Sequence, residues 1–308
     1  MSLEPGRWPT VTAVIPTAGR PELLRRAVEA VVAQDYPGDV ECLIVFDGID
    51  VSVPDVAARP GRVVTGLANS RAGGLAGARN TGAIAAAGEM LAFCDDDDLW
   101  QPGKLRKQVV ALRREPGASA ASCWNVVEYD GCSTERRCER VIFFEDLLRS
   151  RVATLHSSTI VVATAAYLNQ IGPVDEAIPG GGSEDYEWQL RAARHGPIVV
   201  VPEPLVHVLW HTGSRYAKRW DVFVAGLEYI LLRNPEFVVA RRGAARVYGQ
   251  IAFGYGAQGL RRRALMWARR AVVAHRFEPR AYLACAVALG LLSPDWIVHR
   301  LQLRGKGI

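Results

Sequence analysis

The stretch LAFCDDDDLWQPGKL, residues 91–105, sets four consecutive aspartates, Asp95 to Asp98, directly behind a small apolar run, Leu91 to Cys94. Carboxylates packed this tightly hold each other's pKa values up unless a cation or hydrogen-bond donors relieve the repulsion. A solvated turn would be the plain explanation of an acidic cluster, but this one follows what reads as a buried strand. A calcium loop of EF-hand type does not fit, because glycine is missing at the sixth position and glutamate at the twelfth. A phosphatase-type DxDx(T/V) loop with Asp95 as nucleophile fits loosely, and no later carboxylate pair with a suitable lysine accompanies it. A dinucleotide site is disfavoured, since the first strand runs into PTAGRPE and not into a GxGxxG turn. The remaining chemistry is a nucleotide-diphosphate site, where carboxylates hold a hard divalent ion that bridges phosphates and neutralises a leaving diphosphate.

Such a site needs elements to position it, and the first 100 residues alternate strand and helix signals. TVTAVIPT is a β-branched apolar run, and VECLIVFDG, GRVVTGL and MLAFCDDDD read as further strands. RPELLRRAVEAVVAQDYPG carries Pro21 at a helix start, Leu24, Ala27, Val28 and Val31 at helical spacing, and Pro37-Gly38 as a stop. GLAGARNTGAIAAAGE reads as a helix of small residues. This alternation predicts an α/β fold with a mostly parallel, Rossmann-like sheet covered by helices on both faces. Ligands of such sheets bind at the carboxyl ends of the strands, where Thr17, Asp47 and Asp95 fall. Further on, SSTIVVATAAYLNQIGPVDE offers a strand and a short helix, and EDYEWQLRAARHG a helix closed by His195 and Gly196. After about residue 215 the signals are almost wholly helical, with small residues spaced like one and a half copies of a tetratricopeptide-type hairpin at most.

VIPTAGRPELLRRAVEAVVAQDYP, IVFDG, GLAGARNTGAIAAAGEMLAFCDDDDLWQPGKL and GGSEDYEWQLRAARHG, in that order and spacing over roughly residues 10–214, resemble a family 2 glycosyltransferase with the GT-A fold. The resemblance implies an inverting, metal-dependent transfer from a nucleotide-sugar, a UDP-sugar above all, to an acceptor hydroxyl. Pro16 and Thr17 then correspond to base and ribose contacts, Arg20 to a residue near the phosphates, and Asp47 to the acid that bonds the nucleobase. Arg79 and Asn80 resemble donor-binding residues. Within the DxD pattern Asp95 would face the ribose, Asp97 would bind Mn2+ or Mg2+, Asp96 could assist either, and Asp98 would hold the turn. EDYEW resembles the acidic pair that supplies the catalytic base, here Asp185 with Glu184 as orienter or acceptor contact. The glycines of PGGGS (179–183) would let that loop close over the donor. In LVHVLWHTGS, His211 corresponds to a late metal ligand and His207 is a weaker candidate. A sugar-nucleotide or phosphoryl transferase on a similar sheet is the alternative enzyme class, and a nucleotide-binding scaffold with a degenerate site the non-enzyme one. The presence of Asp97, Asp185 and His211 argues against degeneracy.

The expected organisation is a catalytic domain at 1–214, with a nucleotide-binding half at about 1–104 and an acceptor half at about 105–214, followed by a basic helical region at 215–308. Of 308 residues, 49% are hydrophobic and 22% charged, an ordinary globular composition. The net charge of +5 conceals an asymmetry: from residue 241 on there are 13 Arg or Lys against Glu278 and Asp295, so that part carries +11 and the rest −6. Anionic membrane, a protein partner or oligomer, and a plain helical cap are all open uses for these cations. Nucleic acid is disfavoured, because aromatics are not interleaved with the basic residues. No apolar run reaches the ~20 residues of a membrane span, and MSLEPGRWPT lacks the apolar stretch of a signal peptide. The expectation is a cytoplasmic protein, with peripheral contact at the inner membrane face as one use of the tail and an acceptor that is a glycan, a lipid-linked sugar or a small hydroxyl compound. The six cysteines show no CxxC pairing and are expected reduced, a loop disulfide between Cys132 and Cys138 being the alternative.

Overall fold

The computed structural model describes residues 6–210 and 219–308. Its first half follows the sequence closely: β1 (Val11–Thr17), α1 (Pro21–Val32), β2 (Val40–Phe46), β3 (Arg62–Ala68), α2 (Leu75–Ala85) and β4 (Met90–Phe93). These four strands pair in parallel in the order β3-β2-β1-β4. Every residue of β1 is buried, which explains its unbroken apolar run: it lies inside the sheet with side chains covered on both faces. α1 turns Leu24, Ala27, Val28, Val31 and Val32 inward as one stripe.

The second half is built from β5 (Leu99–Trp100), α3 (Lys104–Arg114), β6 (Ala120–Tyr129), β7 (Cys132–Arg136), β8 (Val141–Ile142), α4 (Phe144–Arg149), β9 (Val161–Ala163), α5 (Thr164–Asn169), α6 (Glu184–His195) and β10 (Ile198–Leu209). The sheet continues β4-β9-β6-β10-β5, with β7 beside β6 and β8 beside β10. It is therefore mixed: β6 and β10 run parallel to each other, but β9 is antiparallel to both its neighbours. β9 pairs three residues with β4 and only Val161, opposite Ala121, with β6. Side chains bridge what the ladder leaves open. Gln108 donates from Nε2 to Thr159 O at 2.6 Å and Ala121 O at 3.2 Å, and the Ser122 and Thr159 hydroxyls lie 2.8 Å apart.

The helices α7 (Trp220–Arg233), α8 (Arg241–Ala257), α9 (Arg261–Ala274), α10 (Pro279–Ala288) and α11 (Pro294–Gln302) follow. They share a core with the sheet: Val224, Leu227, Ile230, Val247 and Ile251 belong to the same buried cluster as Leu147, Tyr186 and Leu190. Contact is close enough that a Cβ on Gly243 of α8 would sit 1.8 Å from the Leu148 carbonyl oxygen. Arg246 of α8 reaches the Tyr186 hydroxyl at 2.9 Å, and that hydroxyl donates to Leu147 O at 2.7 Å. No helix among the described residues is long and apolar enough to cross a membrane. The six cysteines are free thiols, with Cys138 Sγ 2.8 Å from the Thr154 hydroxyl.

Lys104, at the start of α3, is fully buried. Its Nζ lies 3.7 Å from the centroid of the Trp100 ring and makes no hydrogen bond among the described residues. Burial pushes its pKa down to about 8, against about 10.4 in an unfolded chain. Between these values the unfolded chain binds more protons than the folded one, so stability should rise with pH from about 8 to about 10.4. Below that window the buried charge is a standing cost of order 3 kcal/mol. Lys104→Met should raise the midpoint of urea unfolding at pH 7 and abolish the rise in stability above pH 8.

Candidate active site

Thr17, Asp47 and Asp95 do meet, at the carboxyl ends of β1, β2 and β4, in a crevice of about 620 Å³. Pro16 and Thr17 line it, and the Thr17 hydroxyl donates to Asp96 Oδ2 at 2.7 Å. Arg20, just ahead of α1, pairs with both Asp96 and Asp97. Asp47 accepts from Asn69 Nδ2 and from the Gly74 N–H, each at 2.9 Å, which fixes the loop leading into α2. Asp98 turns away from solvent. It accepts from the Ser158 hydroxyl and from the Leu209 N–H at 3.3 Å, while its own N–H donates to Asp95 O at 3.0 Å. These bonds tie the turn to β10 and to the stretch ahead of β9.

Opposite the aspartates stands the amino end of α6 with Glu184 and Asp185, both on the crevice wall. Arg79 joins the two sides: Nη2 contacts Asp95 Oδ1 and Nη1 contacts Glu184 Oε1, each at 2.7 Å. Arg79 itself is 2% exposed. Arg151 Nη2 meets Asp185 Oδ2 at 2.6 Å. The adjacent carboxyls are driven in opposite directions. Burial pushes Glu184 up, with Asp185 adding to the push and Arg79 opposing it. Burial also acts to raise Asp185, but Arg151, then His156 and Arg79, outweigh it and hold this carboxyl below its ordinary range. Burial raises Asp96 and, with Asp95 and Asp97, raises Asp98 far more, whereas Asp95 is held low against its burial chiefly by Arg79. A pair of neighbouring acids so separated can divide the work of ionised base and partner.

Two placements, Asn80 and His207, differ from expectation. Asn80 lies behind the crevice wall, not on it: its amide donates to Val174 O at 2.8 Å and to Glu176, and its carbonyl accepts from Tyr167 Oη and Val174 N. With donors and acceptor so used, it ties α2 to the 167–176 segment. His207 points to the sheet's other neighbours, with Nδ1 2.9 Å from Glu128 Oε1. The 179–183 loop lines the crevice through Gly181 and Gly182 and packs closely on α7, since a Cβ on Gly180 would lie 2.6 Å from Val222 Cγ2 and one on Gly226 2.1 Å from Gly182 O. His211 lies outside the described residues.

The sequence reading missed Arg151 and His156. His156 Nδ1 lies 3.3 Å from Asp98 Oδ2 and Nε2 3.9 Å from Asp95 Oδ2. Asp95, Asp98 and His156 bring ligand atoms within 4.8 Å of one another. Burial lowers the His156 pKa, which favours the neutral imidazole that a metal ion needs. Among the described residues seven carboxyl and four guanidinium groups line the crevice; burial, with Asp95 and Asp97 beside it, is what pushes Asp98 up, and a cation joining the aspartates would relieve that repulsion. Oxygen donors with one imidazole suit Mg2+ or Mn2+. The residues present therefore fit a divalent ion.

The family model described as glycosyl transferase family 2 matches residues 12–169. The succinoglycan biosynthesis protein ExoO of Rhizobium meliloti is 34% identical over 126 residues, 41% of this chain and 36% of its own length. The chain thus spans little more than a third of that relative. Rv1520 of Mycobacterium tuberculosis is 27% identical over 248 residues, covering 75% of this chain and 69% of its own. Among solved structures, residues 1–349 of TarS from S. aureus, in complex with UDP-GlcNAc, superpose with a TM-score of 0.66 at 14% identity, over 96% of this chain and 92% of that one. The mannosyltransferase PcManGT of Pyrobaculum calidifontis, in complex with GDP-Man and Mn2+, gives 0.55 at 19% identity, over 97% and 86%. At these identities the likeness establishes the fold.

Proposed function

The chain belongs to glycosyl transferase family 2, and on that premise we propose that it is a metal-dependent, inverting glycosyltransferase that moves a sugar from a UDP-sugar to an acceptor hydroxyl. The observation that carries this reading is the Arg79 bridge, which sets the aspartate run and the Glu184–Asp185 pair on opposite walls of one crevice. An inverting transfer needs a carboxylate on the face of the sugar away from the leaving diphosphate, and Asp185 supplies one that stays ionised at neutral pH. It takes the proton of the acceptor hydroxyl as that oxygen attacks the anomeric carbon. Arg151 both keeps Asp185 charged and competes for it, so the acceptor must draw Asp185 Oδ2 from a 2.6 Å ion pair or use the other oxygen. Glu184, anchored by Arg79, orients its neighbour. Pro16, Thr17, Asp47 and Asp95 face the nucleoside, and Arg20, beside Asp96 and Asp97, meets the phosphates. Asp97, with Asp95, His156 and His211 as further candidates, would hold Mn2+ or Mg2+, which when bound neutralises the leaving diphosphate.

The direct test is incubation with a panel of nucleotide-sugars and Mn2+, reading diphosphate release and thermal shift. UDP-sugars should score, and a panel that yields neither signal would remove the donor assignment. Excess EDTA should weaken UDP binding by about tenfold or more, and Asp97→Asn should remove the dependence on metal. UDP that binds equally well in EDTA sinks the metal role.

A further inference from the structure

The basic helices carry a groove of about 580 Å³ between the 235–241 segment and α9, remote in sequence from every motif used above. Its rim is made by Val238, Arg241, Met266, Arg269, Arg270 and Val273, and its floor by Phe237, Ala244 and Tyr248. Met266, Arg269, Arg270 and Val273 stand at i, i+3, i+4 and i+7, so they share one outward stripe of α9. Among the described residues no carboxylate lines the groove, and none of the three arginines pairs with an acid. Arg241 donates to Val273 O at 3.3 Å and Arg270 stacks on Trp267 at 4.5 Å, which leaves their charges uncompensated. Val238 is 77% exposed and Val273 68%, and Phe277, in the turn that follows α9, is as open. Large apolar side chains held in water beside unneutralised guanidinium groups describe a face made for a surface that is both anionic and apolar beneath.

We propose that this face docks on an anionic phospholipid bilayer, with Val238, Met266 and Val273 entering the headgroup boundary and Arg241, Arg269 and Arg270 meeting the phosphates. A second copy is the poorer occupant, since a twofold contact across this face would set arginine against arginine. A soluble polyanion would satisfy the charges and leave the valines in water. The proposal is independent of the transferase reading: the site chemistry stands whether or not the groove binds lipid.

The test is sedimentation of the full chain with phosphatidylcholine vesicles, with and without phosphatidylglycerol, over a salt series. Binding should require phosphatidylglycerol and fade as the Debye length shrinks below ~10 Å. Arg269→Glu with Arg270→Glu should weaken it by on the order of a hundredfold, and Val273→Glu by about tenfold. Melting temperature and UDP affinity, unchanged in these surface variants, report that the fold is intact. Absence of binding at low salt, or equal binding to phosphatidylcholine alone, overturns the proposal. So does an oligonucleotide that binds as tightly as the vesicles and ignores Val273→Glu, or a dimer in lipid-free solution that Val273→Glu dissolves.

Discussion

Asp185→Asn should lower kcat by ~10²–10⁴, the range a general base contributes, while UDP-sugar affinity changes little. The amide keeps the shape and can still accept from the Tyr186 N–H, as Asp185 Oδ1 does at 2.7 Å. It cannot take a proton, and it leaves the Arg151 guanidinium without its anionic partner. Single-turnover measurements at saturating donor separate the outcomes. Near-normal turnover would move the base elsewhere, Glu184 being the adjacent carboxyl. Loss of nucleotide binding would place Asp185 on the donor side instead.

The largest effect on stability is expected at Arg79. Each of its terminal nitrogens serves a different carboxylate, and the side chain is almost wholly enclosed. Arg79→Met would leave Asp95 and Glu184 facing each other without compensation, a change that costs about 3–5 kcal/mol when one partner of a buried pair is lost. That is a large part of the 5–15 kcal/mol typical of a folded domain. Arg79→Lys should recover only part of it, because one ammonium cannot reproduce the two-sided fork. Urea unfolding of the triple variant Arg79→Met, Asp95→Asn, Glu184→Gln checks the cause: removing the orphaned charges should restore much of the loss. A triple variant no more stable than Arg79→Met alone would assign the effect to lost packing.

Sequence pattern identified the strand–helix alternation through β4 because those strands are buried on both faces and read as plain apolar runs. It placed Thr17, Asp47 and Asp95 together because chain direction in a parallel sheet fixes which end each residue occupies. It did not separate Arg79 from Asn80. Residues 76–83 of α2 are buried on every side, so no polar stripe betrays that one residue looks into the crevice and the other, 100° around the helix, looks away. His156 and Arg151 were out of reach for another reason. Both come from the stretch between α4 and β9, where no periodicity predicts position, and they meet Asp98 and Asp185 only through the folding of the chain. The reversal of β9 was equally hidden, since three apolar residues look alike in either direction.

That reversed strand has a further consequence. Parallel ladders of seven residue pairs hold β1 to β2 and β2 to β3, yet a single backbone register position joins β9 to β6. The sheet is two ladders in series with a seam of side-chain amide and hydroxyl groups between them, Gln108, Ser122 and Thr159. Native-state hydrogen exchange should resolve these as separate foldons, with amides of β1 and β2 protected to the global limit and those flanking the seam exchanging through a cheaper, sub-global opening. The β3-β2-β1-β4 part of the sheet and the β6-β10-β5 part can then breathe against each other without either one melting.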